Sequence, residues 1–154
     1  MKRVLFVCMG NICRSPIVES VARVEFARAG VTVQVESAGT ESYHIGQPAD
    51  RRAIRIAESL GYPLATHLAR QVRLQDFTAF DHLLVMDRVN LDALGSMSPA
   101  AGGTKPALFL AAAGLGDAEV PDPYYGTHGD FDRVVELARA GVAGLLGQWR
   151  GQRG

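Results

Sequence analysis

"RVLFVCMGNICRSP", residues 3–16, decides how the rest of the chain is read. Residues 4–7 form a short run of branched and aromatic apolar side chains, the composition of a strand buried on both faces. The run breaks at Cys8, passes through Gly10 and Asn11, and reaches Pro16, which opens "PIVESVARVEFARAG". Apolar positions Ile17, Val21, Val24 and Phe26/Ala27 predict a helix there, with Gly30 as its stop. A tight strand–loop–helix of this kind turns successive backbone N–H groups inward and makes an anion cradle at the helix N-terminus. Gly10 and Asn11 tolerate the unusual dihedrals that such a loop needs. Cys8 to Arg14 is a C-x5-R spacing, and Arg14 can add a bidentate fork to two phosphate oxygens. The donors that hold a dianion also stabilise a thiolate, so Cys8 is expected to be a nucleophile that needs no histidine base, with Ser15 as a further donor to its sulfur. Taken singly, a cysteine at a strand end is more often core than catalyst, and Arg-Ser-Pro is a simple cap. The joint pattern is what points to chemistry.

Outward from this stretch, further apolar, β-branched runs lie at residues 31–35, 82–86 and 107–110. Helical stretches alternate with them: "DRRAIRIAESLGY" from a cap at Asp50 to Gly61, "DRVNLDALGSM", and "GDFDRVVELARAGVAGLLGQWR". The last carries a stripe of Val134, Val135, Leu137, Ala138, Val142, Leu145 and Leu146. Strands alternating with helices predict an α/β fold: a three-layer sandwich around a central four-stranded parallel sheet, flavodoxin-like or Rossmann-like, in one domain over residues 1–154. Its phosphate-binding loop follows the first strand, where ligands bind beyond the carboxyl ends of such sheets. Residues 96–104 and 111–127, rich in Gly, Pro or Ala, are expected to be loops.

Composition narrows the classes. The 154 residues carry 16 basic and 16 acidic side chains and are 47% hydrophobic, the profile of one globular domain. A zero net charge gives no reason to expect nucleic acid or a membrane surface as partner. The two cysteines, Cys8 and Cys13, are too close together to staple a secreted fold and suit a reducing compartment. The apolar run at 4–7 is too short for a signal core, and no stretch reaches transmembrane length, so a cytoplasmic protein is expected. His44, His67, His82 and His128 are scattered, so neither a metal nor another cofactor is expected.

"VCMGNICRSP" resembles the signature loop C-x-G-N-x-C-R-S-P of the low-molecular-weight protein tyrosine phosphatases. "VESAGTESYHIGQPADRRA", "LATHLARQV", "LLVMDRVNL" and "PDPYYG" resemble further segments of that family in the same order. The resemblance implies a two-step phosphoryl transfer through a phosphocysteine on Cys8. Arg14 and the loop of Met9, Gly10, Asn11, Ile12, Cys13 and Ser15 would hold the phosphate. Asp122 would be the general acid and then base; from spacing alone, Asp122-Pro123 is only a turn signal. Pro121 and Pro123 would stiffen its loop. The resemblance also places Asn11 in a network with Ser15, Ser37 and His67. Without it, Ser37 is a strand-end serine and His67 a solvated loop histidine. Ile12, Tyr43, Tyr124 and Tyr125 would wall a slot suited to a phenyl ring. The implied partner is a tyrosine-phosphorylated protein, bacterial relatives acting on tyrosine kinases of capsule or exopolysaccharide export. A monomer is expected, because the exposed aromatics all map to the pocket. Family members with paired tyrosines are themselves phosphorylated there, which makes Tyr124 and Tyr125 candidate modification sites.

Three other functions fit the sequence less well. An arsenate reductase needs a relay of downstream cysteines, and none follows Cys13. A protein arginine phosphatase of the same family resembles threonine before the second loop cysteine, where this chain has Ile12. An inactive anion-binding module would lack the nucleophile, the arginine or the acid, and Cys8, Arg14 and Asp122 are all present. Cys13 lies close enough in the loop to trap an oxidised Cys8 as a reversible disulfide.

Overall fold

Val4, Leu5, Phe6 and Val7 are completely buried because their strand lies inside a sheet covered on both sides. Each such side chain contributes about 1.5–3 kcal/mol relative to exposure, so this short run outweighs weak local preferences. The computed structural model describes residues 2–99 and 102–151. The strands are β1 (Lys2–Cys8), β2 (Val33–Gly39), β3 (His82–Val85) and β4 (Ala107–Leu108). The helices are α1 (Arg14–Arg28), α2 (Arg51–Ser59), α3 (Asp76–Ala79), α4 (Arg88–Met97), α5 (Phe109–Ala112) and α6 (His128–Gly151). The sheet order is β2-β1-β3-β4 with every pair parallel, which gives the expected three-layer α/β sandwich. Alternate residues of β1 serve different layers. Val4, Phe6 and Cys8 pack with α1 and α6, while Leu5 and Val7 pack with Phe77, Phe80 and Leu94.

The boundaries differ from the sequence expectation where tertiary pairing overrides propensity. β2 begins at Val33 and runs to Gly39, rather than spanning 31–35. Val31 is still held by the end of α1, its N–H donating to Phe26 O. Ser37, Ala38 and Gly39 are poor strand formers, yet they extend because Phe6, Val7 and Cys8 supply the ladder beside them. That extension carries Ser37 and Gly39 level with the end of β1. α1 begins at Arg14, two residues before Pro16, so its first turn is part of the loop. Within α1, Val24 is only partly buried and Ala27 is exposed, and the buried stripe is Ile17, Val18, Val21, Ala22 and Phe26.

β4 is only two residues long, and Phe109 and Leu110, expected as strand, wind into α5. Phe109 there meets Phe6 edge-on at 5.3 Å and lies where a side chain on Gly141 of α6 would have to be. Residues 96 and 97 continue α4 instead of opening a loop. The short α3 carried no sequence signal.

Candidate active site

The loop after β1 is held from three sides. Thr40 N–H donates to Cys8 O at 2.9 Å, Glu41 N–H to Met9 O at 3.0 Å, and Asp50 N–H to Ile12 O at 2.8 Å. Asn11, with φ of 59°, is the one non-glycine in the left-handed region among the described residues. That conformation costs about 1–2 kcal/mol for an ordinary side chain and less for asparagine. The Asn11 amide offsets the cost with three hydrogen bonds. Arg70 N–H donates to its Oδ1 at 2.9 Å, which fixes the orientation of the amide. Its Nδ2 then donates to Ser15 Oγ and Ser37 Oγ, both at 2.9 Å. Each hydroxyl accepts a hydrogen bond from the amide and has its own proton to donate: Ser37 to Glu19, and Ser15 to Cys8 Sγ at 2.9 Å, nearer than Ala38 O at 3.5 Å. His67 Nε2–H donates to Asn11 O at 2.8 Å, with its Nδ1 3.9 Å from Glu19. Asn11, Ser15, Ser37 and His67 are thus brought together, joined by Glu19 and Arg70.

Cys8 Sγ also accepts from Asn11 N–H at 3.3 Å. Among the described residues, the N–H groups of Gly10, Ile12 and Cys13 find no protein acceptor. Those donors lead into the first turn of α1, whose N–H groups are unpaired by the geometry of a helix start. Arg14 is only 2% exposed. Its Nη1 donates to Asp87 Oδ2 at 2.6 Å and to Val120 O at 3.0 Å, and its Nη2 lies 3.7 Å from Asp122 Oδ2. Burial works against the guanidinium charge, but Cys8, Asp87 and Asp122 more than compensate and raise its pKa above the ordinary value. Asp87 is itself fixed as the N-cap of α4, accepting from Asn90 N–H at 2.8 Å. Its carboxylate therefore aims Arg14 while Nη2 and Nε remain available to an anion.

Above this floor is a pocket of about 230 Å³. Ile12, Tyr43, Tyr124 and Tyr125 line it with Met9, Gly10 and Cys13. His44, which the sequence did not single out, lines it too and crowds the space beside Gly10. Tyr124 and Tyr125 meet edge-to-face at 4.9 Å, and Tyr125 is 95% exposed. Asp122 stands at the rim, its side chain 47% exposed, with Oδ1 accepting from Tyr124 N–H at 3.1 Å. Cys13 is a buried free thiol whose pKa is pushed far up by burial, with Asp50, Cys8 and Asp122 adding to the rise.

Glu19, Arg70, Asp87 and Gly39 belong to this arrangement without having been read from the sequence. Glu19 carried a usable signal, since it lies four residues after Ser15 on one helix face. The others come from distant strand ends and loops. Among the described residues, no three His, Cys, Asp or Glu side chains converge to hold a metal ion, and no helix is long and apolar enough to cross a membrane.

The family model described as "Low molecular weight phosphotyrosine protein phosphatase" matches residues 3–153. A low molecular weight protein-tyrosine-phosphatase of Streptomyces coelicolor is 41% identical over 157 residues, covering 97% of this chain and 94% of the relative. A protein tyrosine phosphatase of Entamoeba histolytica, solved with Hepes in its active site, superposes with a TM-score of 0.91 at 33% identity, covering 99% of each chain. A Drosophila arginine phosphatase superposes with a TM-score of 0.90 at 29% identity, covering 97% of this chain and 98% of its own.

Proposed function

Because the chain belongs to the low-molecular-weight phosphotyrosine protein phosphatase family of hydrolases, we propose that it cleaves phosphotyrosine through Cys8, Arg14 and Asp122. The observation that carries the assignment is the Cys8 sulfur, which takes hydrogen bonds from Asn11 N–H and Ser15 Oγ at the floor of the pocket that Asp122 overhangs. In the first step Sγ attacks phosphorus in line, and the bond to the tyrosyl oxygen breaks. The Asp122 carboxyl group gives that oxygen its proton, leaving a phosphocysteine. In the second step water attacks the same phosphorus. Asp122, now a carboxylate, takes the proton of the water, and phosphate and the Cys8 thiolate are released.

Through both steps the three equatorial oxygens are met by loop N–H groups and by Arg14, whose free Nη2 and Nε form a planar fork. The 3.7 Å separation of Arg14 Nη2 and Asp122 Oδ2 supports a carboxyl group beside the phosphate site. The tyrosines suit an aryl group, and Ile12 offers no hydroxyl to a guanidinium. The substrates are phosphoproteins, and we take a tyrosine kinase carrying its own phosphotyrosine as the first partner to try. The two free thiols suit a reducing compartment, and we place the enzyme in the cytoplasm.

The test is hydrolysis, with EDTA present, of three matched peptides bearing phosphotyrosine, phosphoserine or phosphoarginine. Turnover confined to phosphotyrosine and abolished in Cys8→Ser is expected. Preference for phosphoarginine would overturn the role given to Ile12, and phosphate binding without turnover would overturn the catalytic assignment.

A further inference from the structure

Arg52 lies outside the pocket lining, yet it ties together the parts of the frame around Asp122. Its Nε and Nη2 donate to the two carboxylate oxygens of Asp50 at 3.1 and 2.9 Å. Asp50 in turn is attached to the phosphate loop through its N–H on Ile12 O. On its other side, Arg52 Nη2 donates to Tyr124 O at 2.9 Å. The guanidinium lies over Phe131 at 4.6 Å and over Tyr124 at 5.7 Å, so α6 backs it. Tyr124 N–H closes the chain by donating to Asp122 Oδ1.

Beyond its two prolines, of which Pro123 is buried, the segment that carries Asp122 has few hydrogen bonds to restrain it. At its entry, Val120 bonds to Met86 through N–H and to Arg14 through its carbonyl. At its exit, Gly126 N–H bonds only to Pro123 within the same turn. Apart from that turn, among the described residues, the bond from Arg52 to Tyr124 O is the only hydrogen bond joining residues 121–125 to the rest of the protein. The remaining polar tie is the 3.7 Å approach of Asp122 to Arg14.

We propose that Arg52 is a positioning residue for leaving-group protonation, holding the Asp122 segment in register with the phosphate loop through Asp50 and Tyr124. The inference rests on Asp122 being the general acid. A proton donor acts only within hydrogen-bond reach of the atom it serves, and a misplacement of about 1 Å can cost on the order of 100-fold. Loss of Arg52 frees the segment to drift, while Cys8, Arg14 and the loop N–H groups stay in place.

This separation makes a specific readout available. A leaving group of low pKa departs without help, and one of high pKa needs its proton. We would measure kcat/KM for 4-nitrophenyl phosphate and phenyl phosphate, with inhibition by inorganic phosphate as the gauge of the cradle. The proteins are wild type, Arg52→Met, Arg52→Lys and Asp122→Asn. The Arg52 side chain is 40% exposed, and circular dichroism checks the fold of each variant. Arg52→Met is expected to lose about tenfold on phenyl phosphate and no more than about twofold on 4-nitrophenyl phosphate, with phosphate inhibition unchanged. Arg52→Lys keeps a charged donor for Asp50 and Tyr124 O but lacks the second, Nε donor to Asp50 and the planar fork, and recovers part of that loss. Equal losses on the two substrates, or weakened phosphate binding, would mean a merely structural role and overturn the proposal. Asp122→Asn separates the two layers of argument. If it steepens the leaving-group dependence while Arg52→Met does not, the Arg52 inference alone is wrong. If Asp122→Asn leaves the dependence flat, the assignment of the acid falls and the inference with it.

Discussion

Gly39→Ala should disable the enzyme without replacing a residue that meets substrate. A Cβ at Gly39 would lie 2.6 Å from Met9 O and 3.2 Å from Asn11 N, against about 3.4 Å for ordinary contact. The φ of Gly39 lies outside the left-handed region, so the substitution tests space and not backbone strain. The end of β2 cannot retreat. Gly39 N–H donates to Arg70 O at 2.8 Å, Gly39 O accepts from Val72 N–H at 2.8 Å, and Thr40 N–H holds Cys8 O. The phosphate loop must therefore give, by roughly 0.8 Å, the difference between 3.4 and 2.6 Å. A displacement of that size at Met9 and Asn11 misaligns the N–H donors around Cys8 Sγ. Overpacking of this kind costs about 1–3 kcal/mol in stability. The misplacement lowers kcat/KM on the order of 100-fold, equivalent to about 2.7 kcal/mol in the barrier. Steady-state kinetics on 4-nitrophenyl phosphate, inhibition by phosphate and urea unfolding together measure these effects. Gly30→Ala is the companion variant, because Gly30 has φ of 71° but nothing within 4 Å of a Cβ. It should lose about 1 kcal/mol in stability and keep its activity. If Gly39→Ala keeps kcat/KM and phosphate affinity within threefold of wild type, the loop is not held by contact with β2 and the reasoning fails.

Asn11→Asp keeps the acceptor for Arg70 N–H but removes both donors to Ser15 and Ser37, so the Ser15 proton turns toward the new carboxylate and away from Cys8 Sγ. Losing a hydrogen bond to a charged sulfur, worth about 1.5–3 kcal/mol, predicts a fall in kcat/KM of roughly tenfold to 100-fold in steady-state assays. After a pulse of peroxide, reductant should restore more activity to wild type than to Cys13→Ser; equal recovery would remove Cys13 as a resolving thiol. The pKa of Cys13 is raised far above neutrality, so its thiolate fraction, and with it the rate of disulfide closure, should climb with pH across the neutral range in quenched alkylation assays. His82, stacked on Trp149 at 5.0 Å, has its pKa lowered from 6.5 by burial and by Lys2. The unfolded chain therefore takes up that proton first, and His82 should diminish stability as pH falls below about 6.5. Urea midpoints for wild type and His82→Gln should diverge over that interval, and parallel curves would refute the attribution.

The parts legible in the sequence were those encoded by neighbours along the chain. A continuous apolar run needs no partner information to be recognised as a doubly buried strand, and residues 4–7 are that strand. Asp50 was readable as a helix cap, and it accepts from Arg52 N–H at 2.8 Å. The loop from Cys8 to Ser15 is likewise one contiguous segment whose residue types announce an anion cradle. By contrast, the extent of β2, the helical turn at Phe109 and the existence of α3 followed from pairing and packing, which propensity does not contain.

The sequence by itself determined the layer order, the place of the phosphate loop after the first strand, and the residue types gathered there. Only the tertiary structure decided what holds them. The Asn11 amide is oriented by Arg70, 59 residues away, and Arg14 is aimed by Asp87, 73 residues away. Gly39 leaves room for Met9 because the two strand ends lie side by side. The Asp122 segment is fastened by Arg52 across a separation of 72 residues. Each is a hydrogen bond or a close approach between segments with no local relation, and a hydrogen bond depends on distances that only the folded chain sets.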